Sequence, residues 1–274
     1  MHDNSHNLEL IYKLIAIAKE AGEAILEVYN SDFDYQMKED SSPLTKADTI
    51  SHNIISKKLK ELTPEIPILS EEDSDIPFEI RSKWIKYWLI DPLDGTKEFI
   101  KKNGEFTVNI ALIENCRPIL GVIFMPISSE TFWGSKDNGS FYKKNNKIVQ
   151  MNVTKDKNND FLKIATSRSH PSNDLDNFLK RFSRYEIIKA GSSIKFCLVA
   201  LGKADIYPRL SPTCEWDIAA GHAIAENAGA TLINIDGSEV LYNRKESYLN
   251  NSFFVFNDLL KNHNINPETA LLKK

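Results

Sequence analysis

The chain has 274 residues, a hydrophobic content of 42% and a formal net charge of −4. This length and apolar content allow a large buried core, which excludes a chain that is disordered throughout. The weakly negative charge gives no general attraction to nucleic acid or to anionic lipid. We therefore expect any anionic partner to be a small molecule held by a locally built site, and not a nucleic acid polymer.

The cysteines and the N-terminus indicate the compartment. Cys116, Cys197 and Cys214 are odd in number and far apart, with neither the spacing of a zinc site nor that of a disulfide framework. Residues 1–5 lack the basic and apolar regions of a signal peptide, and no segment approaches the roughly 18 apolar residues of a membrane span. These features predict a cytoplasmic protein without an integral membrane segment. Peripheral association with the inner face of the cell membrane stays open, as does the choice between a monomer and a homodimer.

The first two predicted elements are helices. Apolar residues recur at helical spacing from 8 to 28, which predicts an amphipathic helix with one buried face. After a loop rich in Asp and Ser, a second apolar face predicts a helix over 45–62, and Pro64 and Pro67 follow its end.

From residue 66 the pattern changes to short apolar runs separated by turns, which predicts strands. These runs cover residues 66–69, 84–90, 106–113, 120–125 and 130–133. Because they follow one another without helical patterns between them, we expect an antiparallel sheet.

Beyond residue 161 strands alternate with helices, which predicts a second layer of sheet and helix. The helices are expected at 193–201 and 214–228, and the strands at 204–207, 231–234 and 253–256. The Lys- and Asn-rich stretch 152–160 is the candidate junction. It divides the chain into an N-terminal α+β half, 1–157, and a C-terminal α/β half, 158–274.

The most informative segment follows the apolar run that ends at residue 90. There the strand is expected to terminate in Asp91, Pro92, Asp94, Gly95 and Thr96. Proline fixes one φ angle and glycine permits a close approach, so the two carboxylates can be presented together while backbone amides face a phosphate. The alternative is an ordinary turn, which also explains many Asp-Gly pairs.

A second acidic run, 70–73, also follows an apolar strand, although solvated acidic loops are common. If Glu71, Asp91 and Asp94 converge, repulsion between like charges raises their pKa values unless a cation lies between them. All these groups offer hard oxygen atoms, which favours Mg²⁺ or Mn²⁺ over zinc or copper. A fourth carboxylate, Asp217, opens a helix of small residues, where its alternative role is to complement the helix dipole.

Taken together, these motifs resemble the inositol monophosphatase family over nearly the whole chain. The matching segments occur in the family's order and are Leu44-Thr45-Lys46-Ala47-Asp48, Leu69-Ser70-Glu71-Glu72, Asp91-Pro92-Leu93-Asp94-Gly95-Thr96 and Glu215-Trp216-Asp217-Ile218-Ala219-Ala220-Gly221. The resemblance implies a layered α/β (α+β) sandwich in which helix and sheet layers alternate, with the substrate in a cleft between the two halves. It also implies inhibition by Li⁺.

Within the family, four further segments are more similar to the bacterial bisphosphate nucleotidases than to the inositol enzymes. They are residues 96–99, 167–170, 191–197 and 207–209. This similarity implies removal of the 3′-phosphate from adenosine 3′,5′-bisphosphate, or from its sulfated form, to give AMP or adenosine 5′-phosphosulfate and phosphate. Such an activity supports sulfur assimilation and nucleotide recycling.

The same resemblance assigns roles to individual residues. Two or three Mg²⁺ ions, with Mn²⁺ as a substitute, would be held by Glu71, Asp91, the backbone carbonyl of Leu93, Asp94 and Asp217. Asp48, Glu71 and Thr96 would be catalytic. The substrate would contact Gly95, Thr96, His170, Ser192, Lys195 and Arg209, together with Glu71, Leu93, Asp94 and Asp217. Lys195 also fits a solvated helix position, and His170 an ordinary loop histidine.

Two alternative functions remain open at this point. An inositol monophosphatase or a broad sugar-phosphate phosphatase would share the metal ligands and differ at the substrate-binding rim. A non-catalytic protein that binds a bisphosphorylated nucleotide would use the same pocket, although every expected metal ligand is present in the sequence.

Overall fold

The computed structural model describes residues 3–32, 35–37, 43–153, 161–169 and 173–257. The helices in these ranges are α1 (Asp3–Tyr29), α2 (Lys46–Leu62), α3 (Phe78–Arg81), α4 (Thr96–Ile100), α5 (Asn173–Leu179), α6 (Ile194–Ala200) and α7 (Glu215–Asn227). The strands of the first half are β1 (Tyr35–Met37), β2 (Pro43–Thr45), β3 (Ile68–Ser70), β4 (Lys86–Asp94), β5 (Thr107–Glu114), β6 (Arg117–Met125), β7 (Glu130–Ser135), β8 (Gly139–Lys144) and β9 (Lys147–Met151). Those of the second half are β10 (Leu162–Ser167), β11 (Tyr185–Ala190), β12 (Ile206–Arg209), β13 (Thr231–Asn234) and β14 (Phe253–Phe256).

Both predicted N-terminal helices are confirmed. α1 buries its apolar stripe against the sheet, and Ile11, Leu14 and Ile25 are at most 1% exposed. Each such side chain contributes about 1.5–3 kcal/mol by leaving water. α2 begins with a capping box, in which Thr45 accepts a hydrogen bond from the amide of Ala47 and Asp48 accepts one from the amide of Thr45. This cap places Asp48 at the end of α2 that faces the site.

The larger sheet has seven strands in the order β3-β4-β5-β6-β7-β8-β9. The predicted antiparallel pairing is confirmed from β4 to β9, but β3 and β4 are parallel, so the prediction is wrong there. The reason is that the chain between β3 and β4 contains α3 and crosses over before returning. The sequence did not predict β8 and β9, whose exposed and Lys-rich residues lack an apolar pattern.

β4 differs from the prediction at the point that matters most for the site. The strand does not terminate before Asp91 but continues to Asp94, with a register shift between Asp91 and Asp94 in its pairing with β5. Pro92 has no amide hydrogen to donate, so an irregularity in the ladder is expected there. The irregularity lets the strand carry both carboxylates into one cavity.

The smaller sheet has five strands in the order β11-β10-β12-β14-β13. α6 and α7 lie between the two sheets, since α7 packs on β4 to β7 and α6 packs on α7 and on β10, β12 and β14. α1 and α2 cover the outer face of the seven-stranded sheet, and α5 contributes Phe178 and Leu179 to an apolar cluster with the five-stranded sheet. The predicted sandwich of alternating helix and sheet layers is therefore confirmed.

The division into two halves remains a prediction, because most of the junction, 154–160, lies outside the described residues. The largest apolar cluster contains residues of both halves, among them Leu89, Phe132, Phe196 and Ile218. In the parts of the chain that the structure describes, no helix is long and apolar enough to cross a membrane.

Candidate active site

A cavity of about 360 Å³ lies where β4, the start of α4, the β11–α6 loop and the start of α7 meet. This volume is within the range that small-molecule sites usually have. Most of the residues assigned from the sequence line it, namely Glu71, Asp91, Leu93, Asp94, Gly95, Thr96, Ser192, Lys195, Arg209 and Asp217. Asp48 does not line the cavity, and His170 lies outside the described residues.

Three carboxylates converge on one wall of the cavity. Glu71, Asp91 and Asp217 each have an oxygen atom within 4.8 Å of the other two. Glu71 directly follows β3 and donates its amide to the carbonyl of Ile90 at 3.2 Å, which ties it to β4. The predicted meeting of Glu71 and Asp91 is therefore present in the structure.

Local hydrogen bonds hold the other two carboxylates in place. Asp91 accepts a hydrogen bond from the amide of Leu93 at 3.1 Å. Asp217 is the third residue of α7, and it accepts one from the amide of Cys214 at 2.9 Å, so it closes the N-terminal turn of that helix. From the sequence, the alternative role of Asp217 is helix-dipole complementarity only; the structure shows in addition a capping hydrogen bond, on a residue that lines the cavity.

The electrostatics of this wall favour a bound cation. Burial, followed by the charges of Glu71 and Asp94, raises the pKa of Asp91 well above its ordinary value. Burial and the charges of Asp94 and Glu71 do the same for Asp217. A cation among these oxygen atoms removes the repulsion. The donors are all hard oxygens without a cysteine or histidine in the cluster, so they fit Mg²⁺ or Mn²⁺.

Asp94 also lines the cavity, where its charge interacts with that of Asp91 and with that of Lys195. Burial raises its pKa, while the charge of Lys195 and a hydrogen bond from Asn109 at 3.3 Å oppose the rise. Asn109 in turn accepts hydrogen bonds from Thr107 and Ser193, at 3.0 and 2.9 Å. A chain of polar contacts thus runs from the acidic wall to the start of α6.

The turn after Asp94 brings a hydroxyl group beside the carboxylates. Gly95 has φ 95°, a left-handed conformation that glycine adopts without strain. Thr96 follows, and its hydroxyl lies 3.3 Å from Oδ1 of Asp48 and 3.4 Å from the carbonyl oxygen of Leu93. Asp48 is 2% exposed and contacts the hydroxyl of Thr96, which lines the cavity.

Two cationic side chains, Lys195 and Arg209, form a second wall of the cavity. Lys195 is buried, at 3% exposed, and donates to the carbonyl groups of Ala190 and Ser192. Burial lowers its pKa to about 8, although the charge of Asp94 opposes this shift. The role of an ordinary solvated lysine is therefore excluded for Lys195. Arg209 also lines the cavity, and its guanidinium group donates to the carbonyls of Ser211 and Pro212 at 3.1 and 2.8 Å.

Several cavity residues were not predicted. The aromatic side chains of Phe196, Tyr207 and Trp216 line the space between the two walls. Their apolar character is also typical of the core, so only their proximity to the predicted ligands in the sequence could have indicated a role. Phe196 and Tyr207 are at most 2% exposed and Trp216 is 8% exposed, so these rings belong mainly to the core and form an apolar base beneath the cavity.

Comparison with known proteins gives the chain its family. The model of the "Inositol monophosphatase family" matches residues 7–266. The chain is 44% identical to the 3′(2′),5′-bisphosphate nucleotidase CysQ of Salmonella typhimurium (strain LT2) over 248 residues, which are 90% of this chain and 99% of that protein. The crystal structure of CysQ from Bacteroides thetaiotaomicron, a bacterial member of the same family, is similar with a TM-score of 0.77 and 38% identity, over 90% of this chain and 97% of that one.

A more distant structure shows the same fold. The inositol monophosphatase of Anabaena (Nostoc) sp. PCC 7120 is similar with a TM-score of 0.75 at 22% identity, over 97% of this chain and 96% of that one. Because the family model covers most of the sequence and close relatives align over nearly their full length, the chain belongs to the inositol monophosphatase family.

Proposed function

We propose that this protein is a Mg²⁺-dependent 3′(2′),5′-bisphosphate nucleotidase. Its substrate is adenosine 3′,5′-bisphosphate or the sulfated form of that nucleotide, and its products are AMP or adenosine 5′-phosphosulfate and phosphate. The observation that carries the proposal is the pairing of an acidic wall with the buried Lys195 and with Arg209 in one cavity. A phosphate ester with a second anionic group at a distance matches such a pair of walls. The relatives at 44% identity that are named as this enzyme support the same conclusion.

Enzymes of this family depend on metal ions, and the acidic cluster fits them. Two or three Mg²⁺ ions, for which Mn²⁺ can substitute, would be held by Glu71, Asp91, Asp94, Asp217 and the carbonyl of Leu93. When bound, such ions lower the pKa of water and stabilise the negative charge that develops during in-line attack on a phosphate.

Residues of the chain position the attacking water and accept its proton. Thr96, with its hydroxyl oriented by Asp48, positions the attacking water, and Asp48 draws the proton of that water away through Thr96. Glu71, which belongs to the acidic wall, is a second acceptor for this proton. The amides of Gly95 and Thr96 face the transferring phosphate. Water forms the new P–O bond as the bond to the 3′-oxygen breaks, and that oxygen takes up a proton from solvent water, so no covalent phosphoenzyme is required.

The rim of the cavity selects the substrate. Lys195 and Arg209 attract the phosphate that is not hydrolysed, and Ser192 adds a hydroxyl on the same side. We place the protein in the cytoplasm, where Cys116, Cys197 and Cys214, none of which forms a disulfide, stay reduced.

The test is phosphate release from adenosine 3′,5′-bisphosphate and from inositol 1-phosphate, measured in parallel with Mg²⁺ and with EDTA. We expect rapid release from the nucleotide that requires Mg²⁺ and is inhibited by Li⁺. Faster hydrolysis of inositol 1-phosphate would be consistent with the proposed metal site, but it would overturn the assignment of Ser192, Lys195 and Arg209 to nucleotide binding. Release from neither substrate, with nucleotide binding retained, would favour a non-catalytic binding protein.

A further inference from the structure

The loop between β11 and α6 forms one side of the cavity. It touches the turn of Gly95 and Thr96, which we call the catalytic turn. A Cβ atom on Gly191 would lie 2.7 Å from the carbonyl oxygen of Glu105, so the two backbones are in contact. A Cβ atom on Gly95 would lie 3.0 Å from the same oxygen and 3.3 Å from the Cβ of Ser192. The catalytic turn, Glu105 in the segment before β5 and the β11–α6 loop therefore meet without free space.

One carboxylate joins these segments. Glu105 accepts two hydrogen bonds from Arg168, from Nε and Nη2 at 2.7 Å each, and one from the amide of Gly191, also at 2.7 Å. Arg168 donates in addition to the carbonyl of Lys189 at 3.0 Å. Burial alone would raise the pKa of Glu105, but the hydrogen bonds from Arg168 and Gly191 outweigh it and lower the pKa. Glu105 is therefore a charged acceptor at neutral pH.

The loop depends on being held in this way. Ser192 has φ 42°, which is an unfavourable conformation for a residue with a side chain. Ser192 lines the cavity, and its hydroxyl is buried without a hydrogen-bond partner within the described part of the chain. Its carbonyl accepts from Lys195, so a shift of the loop would move both the hydroxyl and the buried cation.

We infer that Glu105 and Arg168 are positioning residues that clamp the Gly191–Ser192 loop against the catalytic turn and so set the affinity for the substrate. The inference rests on the proposed function and deepens it. Ordinary surface ion pairs contribute little. This pair differs because its bidentate contact and its bond to the Gly191 amide hold backbone that faces the cavity. It also gives a role to Arg168, which lies in a segment that resembles the bisphosphate nucleotidases.

The test uses Glu105→Gln, Arg168→Lys and the double variant of the full-length protein. Glutamine keeps an acceptor for the Gly191 amide but loses the charge, and lysine keeps the charge but loses the planar fork. The matched control is Glu239→Gln, which removes the Arg117–Glu239 ion pair. That pair also joins the two halves of the chain, and neither of its residues lines the cavity.

Two measurements are made on each variant. Steady-state kinetics with adenosine 3′,5′-bisphosphate should show a KM raised about tenfold with kcat changed less than about threefold, because the clamp acts on binding of ground state and transition state alike. The KM of the double variant should be no higher than that of the more strongly affected single variant, because the two residues act as a unit. Amide hydrogen exchange of residues 189–196 should be faster in both single variants and unchanged in Glu239→Gln.

The exchange measurement needs no substrate, so it separates this inference from the proposed function. If the wild type releases no phosphate from the nucleotide, the proposed function fails and exchange alone decides whether the clamp exists. Exchange and KM that match those of Glu239→Gln would overturn the inference. A loss of kcat without a change in KM would also overturn it, because that pattern indicates an effect on the transition state or on the fraction of active enzyme, and not on substrate binding.

Discussion

The hydroxyl of Thr96 lies 3.3 Å from Oδ1 of Asp48, although the two residues are 48 positions apart in the sequence. The other oxygen of Asp48 accepts hydrogen bonds from the amide and the hydroxyl of Thr45, at 2.8 and 2.6 Å. Asp48 therefore caps α2 with one oxygen and orients Thr96 with the other. A single buried carboxylate couples the start of a helix to the catalytic turn.

This relationship predicts the effect of Asp48→Asn and Thr96→Val. Either change breaks the path by which a proton leaves the attacking water, so kcat should fall by about 10²- to 10⁴-fold. Thr96→Ser keeps the hydroxyl group and should retain most of the activity. The measurement is kcat for adenosine 3′,5′-bisphosphate with saturating Mg²⁺, and normal turnover by Thr96→Val would refute the role of the hydroxyl.

A second prediction concerns Asp91→Asn. Asparagine can still accept the hydrogen bond from the amide of Leu93, so the fold should be retained. Removing one charge from a buried cluster relieves repulsion, and in EDTA we expect the variant to be about 1–2 kcal/mol more stable than the wild type at neutral pH. With Mg²⁺ the wild type should gain thermal stability, whereas the variant should gain little and should have almost no turnover.

The control for this change is Asp205→Asn. Asp205 is also buried, at 2% exposed, but it accepts a hydrogen bond from the amide of Lys163, far from the acidic cluster. The Asp205→Asn variant should keep the wild-type catalytic rate per folded molecule and the wild-type response to Mg²⁺. If Asp91→Asn behaves in the same way, Asp91 is not a metal ligand.

The sequence motifs, through the family that they resemble, were sufficient to predict the layered fold and the acidic wall, and local patterns give part of the physical reason. Glu71 and Asp91 follow apolar runs in neighbouring strands, and Asp217 opens a helix with a clear N-terminal pattern. Local patterns of this kind place the carboxylates at the ends of elements that must pack together. Their convergence then follows from the fold.

The rest of the site depends on contacts between distant segments that leave no local pattern. Glu105 meets Arg168 and Gly191 only through tertiary structure, and nothing in its loop distinguishes it from a solvated glutamate. The burial of Lys195 could not be predicted from the sequence either, because a lysine on a helix is usually exposed. The continuation of β4 to Asp94 was missed because proline usually interrupts a strand.

The buried position of Lys195 leads to a third prediction. In Lys195→Met the apolar stem is replaced with little change in volume, but the charge that we propose faces the second phosphate is lost. We expect kcat/KM for adenosine 3′,5′-bisphosphate to fall by about 30-fold, as is typical when a charged hydrogen-bonding partner is removed. Adenosine 3′-monophosphate, which lacks the second phosphate, should be affected much less.

Lys203→Met provides the comparison, because Lys203 follows the same helix and is exposed to solvent. It should leave both substrates unaffected. An equal loss with both substrates in Lys195→Met would show that the lysine supports the fold of the loop or the scissile phosphate, and not the second phosphate.

The last prediction concerns the stability of the protein in acid. His222 is 5% exposed and lies 3.0 Å from the hydroxyl of Tyr242. Burial, together with the charge of Arg117, lowers its pKa from 6.5 to about 3. Between these two values the unfolded chain binds a proton at this histidine and the folded chain does not. The free energy of unfolding must therefore fall as the pH falls below 6.5, by about 1.4 kcal/mol per pH unit from this residue alone.

In His222→Gln this dependence should disappear, so the pH profile of stability becomes flatter between pH 6.5 and 5. The measurement is urea unfolding in EDTA at several pH values, which keeps metal binding out of the profile. His52→Gln is the control, because His52 is only partly buried and the charge of Asp73 opposes the lowering of its pKa. An unchanged slope in His222→Gln would mean that the folded protein can protonate this histidine, with Nδ1 donating to the hydroxyl of Tyr242 and Nε2 lying 3.8 Å from a carboxylate oxygen of Glu226.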